Sequence, residues 1–380
     1  MTHKSYSGIN ALSVNLLKCL VFTLFLVGWA PAHAQIDLID PDNFTEQHSY
    51  DPCFVETPFE YLPESVNSTL CDEFPNYEPS ENCTIAAGTV TVYGQNEVVQ
   101  NKNFLVNGNW TIRPGSSLIF QNCNFKIAPG AQITVKCFNT QTMTFEGCKF
   151  FSCDIMWRGI SVEHAFSVLE LTPPSFNFIN CEIEDAASAL WLRNPSLAVL
   201  YKIQGSIFNN NYIGLSVFHD WANGIPTWAP LVFWGNTMTT SQNLRPYFSI
   251  KTPPGYPKAY AGISAKKVSS YLGTPASRNT FTRMRNGMVC EKSVITVNHN
   301  DFIGLWENGI QSNASSLTVL NDNRFDGPTN MPGITPPIME NGIWATGSDL
   351  YISDTKFNRR IRNGINSEGN YHAEQIEIHD

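Results

Sequence analysis

Charge is scarce in this 380-residue chain: Asp, Glu, Lys and Arg together make up 15%. Solvent-exposed helices draw heavily on those residues, so a helix-rich fold is disfavoured at the outset. After the N-terminal 30 residues no stretch approaches the roughly 18 consecutive apolar residues that span a bilayer. Cys-x-x-Cys knuckles, His-Glu-x-x-His, glycine-rich phosphate loops and nucleophile elbows are all missing, which removes the commonest zinc, nucleotide and serine-hydrolase signatures. No pair of close apolar runs is joined by an Asn-Gly hairpin turn. What is plentiful is glycine (25), proline (23) and aromatic side chains (12%), with 42% hydrophobic residues, enough for a core. That profile suits turn-dense β structure.

The N-terminus reads as an export signal. Lys4 and Lys18 precede an apolar run from Cys19 to Val27, and Ala32-His33-Ala34 offers a cleavage site before Gln35. The run is short for a membrane anchor, so residues 1–34 are expected to be removed and the product to be secreted, extracellular or at the cell surface. The mature chain then carries 22 basic and 33 acidic residues. Its acidity is local: Gln35 to Asn101 holds 13 acids and no Lys or Arg, leaving +2 on Lys102–Asp380. That near-neutral body, with scattered bases, argues against nucleic acid as a partner. Residues 35–85, with six prolines and Cys53, Cys71 and Cys83, read as an irregular leader with room for one bridge. Nine mature cysteines leave at least one unpaired.

A repeat fills the remainder, 86–380. Two alternating apolar residues are followed by a small polar residue or Cys and then a large apolar one, the last falling at Phe125, Phe150, Ile183, Phe208, Met238, Phe281, Phe302, Phe325 and Phe357. Two positions earlier stand Cys123, Cys148, Cys181, Ser206, Asn236, Asn279, Asn300, Asn323 and Thr355. Five and seven positions earlier lie inward residues such as Phe145 and Met143, with Ala276 and Thr274 in the Phe281 unit. The Phe325 unit slips by one, so Leu317 and Val319 take its inward places. A second marker, Gly or Ala before an aliphatic residue, recurs from Gly159-Ile160 to Gly364-Ile365. Spacings of 21 to 43 residues, with strand-type alternation and no hairpins, predict short strands stacked in parallel, turn upon turn. The fold expected is an all-β, right-handed parallel β-helix of nine or ten coils, the hand following from the crossover rule. Asparagines in one file would hydrogen-bond up the stack, and Cys123, Cys148 and Cys181 would be buried thiols. Ile376 and Ile378 begin a further coil, whose completion is expected from missing sequence or a partner beyond Asp380.

The Asn file, the Asn-x-Phe…Asn-Gly-Ile units and the turns Ile112-Arg113-Pro114-Gly115 and Ile127-Ala128-Pro129-Gly130 resemble the pectate-lyase-like β-helix superfamily, most of all its secreted bacterial surface proteins. The resemblance implies the fold and leaves function open among lyases, hydrolases and adhesins. The Asp-Asp, Gly-His-Gly and Arg-Ile-Lys motifs of its pectin-degrading members are missing; Arg360-Ile361-Arg362 is the nearest echo.

Outward columns are where chemistry would sit. The column holding Glu163, Arg193, Lys266 and Glu291 pairs acids with bases, and Glu182 and Asp301 stand coils apart. Arg283, Arg285, Arg359 and Arg362 fall in equivalent turns and form a candidate anion site for sulfate, phosphate or uronate. Ile179, Ile207, Val232 and Trp234 break the outward-polar rule beside two aromatic insertions. Either the insertions fold over this strip, or Trp221, Trp228, Trp234 and Tyr256 wall a sugar-stacking groove with His219 and Asp220 as polar contacts. The function expected is non-catalytic binding of a glycan or another surface, without a cofactor. The alternative is a polysaccharide lyase or glycoside hydrolase on an acidic polymer, with calcium in the lyase case.

Overall fold

A computed structural model describes residues 69–138, 141–165, 174–195, 199–220, 226–249, 253, 258–328 and 338–369. The expected signal peptide, Cys53, Trp221, Tyr256, Ile376 and Ile378 lie outside the described residues. Among the described residues every strand pair is parallel, and successive rungs of the stack lay their strands on three faces, with one rung giving both Thr227–Trp228 and Leu231–Trp234 to the third. The first and second faces are continuous sheets of eleven strands; the third is divided into sheets of six and five. This is a parallel β-helix. It is eleven strands deep because two rungs precede Phe125: Phe104 pairs with Phe125, and the first strand, Thr84–Ile85, pairs with Leu105 and Val106.

The columns stand where the repeat places them. Phe125, Phe150, Ile183, Phe208, Met238, Phe281, Phe302, Phe325 and Phe357 are register partners in sequence. Their rings stack: Phe125 on Phe150 at 4.5 Å, Phe281 on Phe302 at 4.9 Å, Phe302 on Phe325 at 4.7 Å. Each such burial contributes about 1.5–3 kcal/mol. The glycine of the second marker has a steric cause. A Cβ on Gly287 would lie 2.5 Å from the Phe302 ring and 2.7 Å from the Gly309 carbonyl oxygen, and Gly262, Gly309 and Gly342 are cramped in the same way. The large residue on one face therefore dictates the absence of a side chain on the next.

Corners are locked by side-chain ladders. Asn236 donates to Asn279 (3.2 Å), Asn279 to Asn300 (2.8 Å) and Asn300 to Asn323 (3.3 Å). A second asparagine file opens the second face, with Asn308 donating to Asn286 and Asn341 to Asn308, both at 2.8 Å. At the next corner the Ser293, Ser315 and Ser348 hydroxyls accept from the backbone N–H of Val268, Ser293 and Ser315. Each file satisfies buried backbone that would otherwise cost about 1–3 kcal/mol per group. Immediately before the column that holds the first asparagine file, at its cysteine and serine members as well as its asparagines, the chain takes left-handed φ at Asn122, Asn180, Gly205, Gly235, His299 and Asp322, residue types enriched in that region.

Some expectations need correction. The inward places given to Thr274 and Ala276 belong to Ser270 and Leu272, which pair with Ile295 and Val297; Gly273–Arg278 is instead a turn, bridged from Thr274 to Ser277. The third face divides at Pro230, which has no N–H to give a ladder; the following rung pairs with Thr227–Trp228. Cys71 is bridged to Cys153, tying the leader to the body, while Cys83, Cys123, Cys137, Cys148, Cys181 and Cys290 are buried free thiols. Burial raises Cys137 and Cys290 to about 12, which keeps both protonated and inert.

Candidate functional site

The second-face strand Ile213–Phe218 ends at a corner where an insertion begins. There Asp220 accepts from Arg193 Nε at 3.0 Å and Asn194 Nδ2 at 2.9 Å, and its own N–H donates to Asn194 Oδ1 at 2.7 Å. Its carboxylate is thus already engaged by a guanidinium and an amide. His219 donates its backbone N–H to the Lys266 carbonyl at 3.2 Å. Burial holds its imidazole below the ordinary range; Asp220 opposes that and Lys267 adds to it. The insertion returns at Thr227–Trp228, paired with Val268–Ser269, and Trp228 is 46% exposed. The His219 backbone and Trp228 thus lie against Lys266 and Ser269 of the next rung, while Asp220 is tied to Arg193 and Asn194 of the preceding one.

Trp234 stands apart, half-buried at the far end of Leu231–Trp234 and paired with Gln204. The described part of the second insertion occupies the opposite edge of the second face. Pro246 accepts from Met156, the Phe248 ring lies under the Arg158 guanidinium at 5.1 Å and stacks on Tyr247 at 4.5 Å, and Tyr260 stacks on Tyr212 at 5.7 Å. Tyr247 and Leu244 are buried by these contacts. They fasten the insertion to the body, yet Ile207 stays 41% exposed.

The candidate anion-binding arginines divide. Arg285 is paired with Glu307 at 2.6 Å and Arg362 with Glu340 at 2.7 Å, so both belong to a charge-matched column on the second face. Arg359 is exposed, and Arg283 is half-buried at a left-handed corner. In the neighbouring outward column Lys266 meets Glu291 at 3.2 Å as expected, whereas Glu163 pairs with Lys136 and Arg193 with Asp220.

The most unusual electrostatics lie at the end of a first-face strand, in positions that the repeat did not single out. Glu182–Glu184 and Asp185 put three carboxylates within four residues. Glu184, 1% exposed, accepts from the Leu70 N–H at 2.8 Å and from Asn209 Nδ2 at 2.6 Å. Asp185 is fully buried and neither oxygen has a hydrogen-bond partner; Arg245 Nε stands 3.6 Å away, too far for one. Burial pushes Glu184 up to about 7 and Asp185 well above the carboxylate range. The cover is the leader itself. Its single turn of helix, Leu70–Glu73, is capped by Thr69 and held by the Cys71–Cys153 bridge, and Phe74 stacks on Phe151 at 5.5 Å. The only trace in sequence is the cluster of acids beside an inward Ile183. Sealed from solvent, Glu184 and Asp185 act on the fold and cannot touch a polymer. Among the described residues no three His, Cys, Asp or Glu side chains are gathered so as to hold a metal ion.

No protein-family model matches the sequence, and no curated protein does. Among solved structures, a single mutant of the periplasmic alginate epimerase AlgG is similar, with 13% identity over 70% of this chain and 62% of that one, at a TM-score of 0.39. A double mutant of the same epimerase has 9% identity over 71% and 76%, at 0.37. The chain thus spans less than two thirds of the length of the first.

Proposed function

We propose that this protein is exported, loses residues 1–34, and acts outside the cytoplasm as a glycan-binding β-helix without catalysis, using the edge formed by Trp228, His219 and Asp220. The observation that supports this most is Trp228: a large ring left 46% bare on a backbone fixed by strand pairing, at the corner where the strand leading to His219 and Asp220 ends. Sugar rings stack on such faces while neighbouring polar groups meet their hydroxyls. Against catalysis, Asp220 is already held by Arg193, and Glu184 and Asp185 are sealed. The test is a glycan array on the native protein and Trp228→Ala, with product assays on neutral and uronic polymers with and without calcium. Binding that falls about three- to tenfold in the variant, without turnover, is expected. Turnover abolished by His219→Ala or Asp220→Ala would replace this reading with the lyase or hydrolase one.

A further inference from the structure

Beyond the edge at Trp228, the outer side of the five-stranded third-face sheet leaves several aromatic rings bare. Its strands are Thr227–Trp228, Val268–Leu272, Val294–Asn298, Ser316–Leu320 and Asp349–Ile352. Two outward columns run up it. One begins at Trp228 and ends at Asp349, passing through Val294, which is 43% exposed. The other is Tyr271, Thr296, Thr318 and Tyr351, each the register partner of the next. Tyr271 and Tyr351 are 41% and 37% exposed, while the alternate residues of the same strands are buried against the core.

Two features set this surface apart. It is rigid: both of its borders are corners locked by the serine file and the first asparagine file, and Asn298 donates to the Tyr271 hydroxyl, fixing that ring. It is also almost without charge. Asp349 is the one ionisable acid or base in the two columns apart from the tyrosines themselves, whereas the outward column of the first face ends in Asp301, Arg324 and Lys356. Within the two columns a polyanion would meet a carboxylate and no cation; Lys267 and Lys292 stand at the corner beside them.

We propose that this sheet face is a flat binding platform for a neutral, extended polysaccharide lying along the stack of rungs, with Trp228, Tyr271 and Tyr351 as stacking rings and Thr296 and Thr318 as hydroxyl contacts between them. The inference rests on the glycan-binding reading above and extends it from an edge to a surface. Rungs about 4.8 Å apart place the two tyrosines about 14 Å from one another, so one ring cannot serve both and a polymer is required. Aromatic rings supply stacking area with a polar end, and a site fixed in advance loses little freedom on binding.

The test measures retention of the full-length protein on cellulose powder, chitin powder and a polygalacturonate gel. The variants are Trp228→Ala, Tyr271→Ala, Tyr351→Ala and Tyr271→Phe, with Ile207→Ala, equally exposed on the first face, as a control; circular dichroism confirms that each is folded. Expected is retention on a neutral powder, weakened about three- to tenfold by each of the three aromatic-to-alanine changes, weakened less by Tyr271→Phe, which keeps the ring but loses the Asn298 contact, and left within about twofold by Ile207→Ala. If only Trp228→Ala weakens binding, the platform is overturned and the edge survives. Preference for polygalacturonate overturns the neutral assignment. Retention on none of the three overturns both readings, and self-association lost in Tyr351→Ala would identify the face as a contact between copies of the chain.

Discussion

Raising the pH from 5 to 8 should weaken this protein, and Glu184 is the reason. Its carboxyl is buried against Leu70 and Asn209 with Glu182 and Asp185 beside it, Arg245 as a nearby cation, and Lys149 and Glu73 as an ion pair outside. Burial raises it from 4.5 in the open chain to about 7. An acid whose folded value is raised binds more protons folded than unfolded, so its contribution is complete below about 4.5 and is lost as pH climbs through about 7. Two and a half units at about 1.4 kcal/mol each give about 3–4 kcal/mol. Asp185 is raised for the same reason, so the two titrate as a coupled pair and Glu184→Gln removes only part of the slope. His219 is shifted the other way and acts in the opposite sense, but equally in both proteins. Urea unfolding followed by circular dichroism at pH 5, 6, 7 and 8 reads the difference, with the denaturant slope checked for constancy. Native stability that rises across this window, or a Glu184→Gln protein with the native slope, would refute the assignment.

Three further predictions concern the scaffold. Phe302→Ala, fully buried between Phe281 and Phe325, should destabilise by about 3–5 kcal/mol in the same unfolding assay, and a loss under about 1 would mean that the ring column is not a core. Gly287→Ala should destabilise by about 1–3 kcal/mol, since both the Phe302 ring and the Gly309 carbonyl must give way; a neutral result would refute the steric account of the second marker. Peptide mapping under oxidising conditions should recover Cys71 joined to Cys153 and Cys123, Cys137, Cys148, Cys181 and Cys290 as thiols, and a bridge between any two of those five would contradict the core assignment.

The legible part of this molecule is the part that repeats. Phe281, Phe302 and Phe325 announce their column because each occupies the same place in a rung, and the slip at Leu317 and Val319 could be placed because its neighbours fixed the frame. Where a turn has no counterpart in other rungs, the frame gives no help: counting five and seven positions back from Phe281 lands on Ala276 and Thr274, because Gly273–Arg278 inserts a turn of its own there. The serine file went unseen for another reason. Ser293, Ser315 and Ser348 are spaced as regularly as the asparagines, but serine is common at exposed turns and only the hydrogen bonds show that these are buried. The Cys71–Cys153 bridge joins the leader to the body across 82 residues, and nothing periodic records it.

Alternation states which side chains face away from the core; it does not state what lies over them. Glu184 and Ile207 show the gap. Both are outward residues on adjacent first-face strands, Glu182–Glu184 and Ile207–Asn209, yet the carboxylate is 1% exposed and the aliphatic side chain 41%. Hydropathy predicts the reverse. The leader, docked through Leu70 and Phe74, seals the acid, and the described parts of the insertions leave the isoleucine bare. Covering a carboxylate costs free energy unless it is partnered, so Glu184 holds the leader in place through Leu70 while making that hold sensitive to protons. Leaving rings bare costs free energy too, and a solenoid has every opportunity to place Ser or Thr there instead, as it does at Thr296 and Thr318 between Tyr271 and Tyr351. In a fold whose inward residues are prescribed rung by rung, the outward departures from hydropathy are the free choices of the sequence. The sealed acids and the bare aromatics are therefore where regulation and recognition are to be sought.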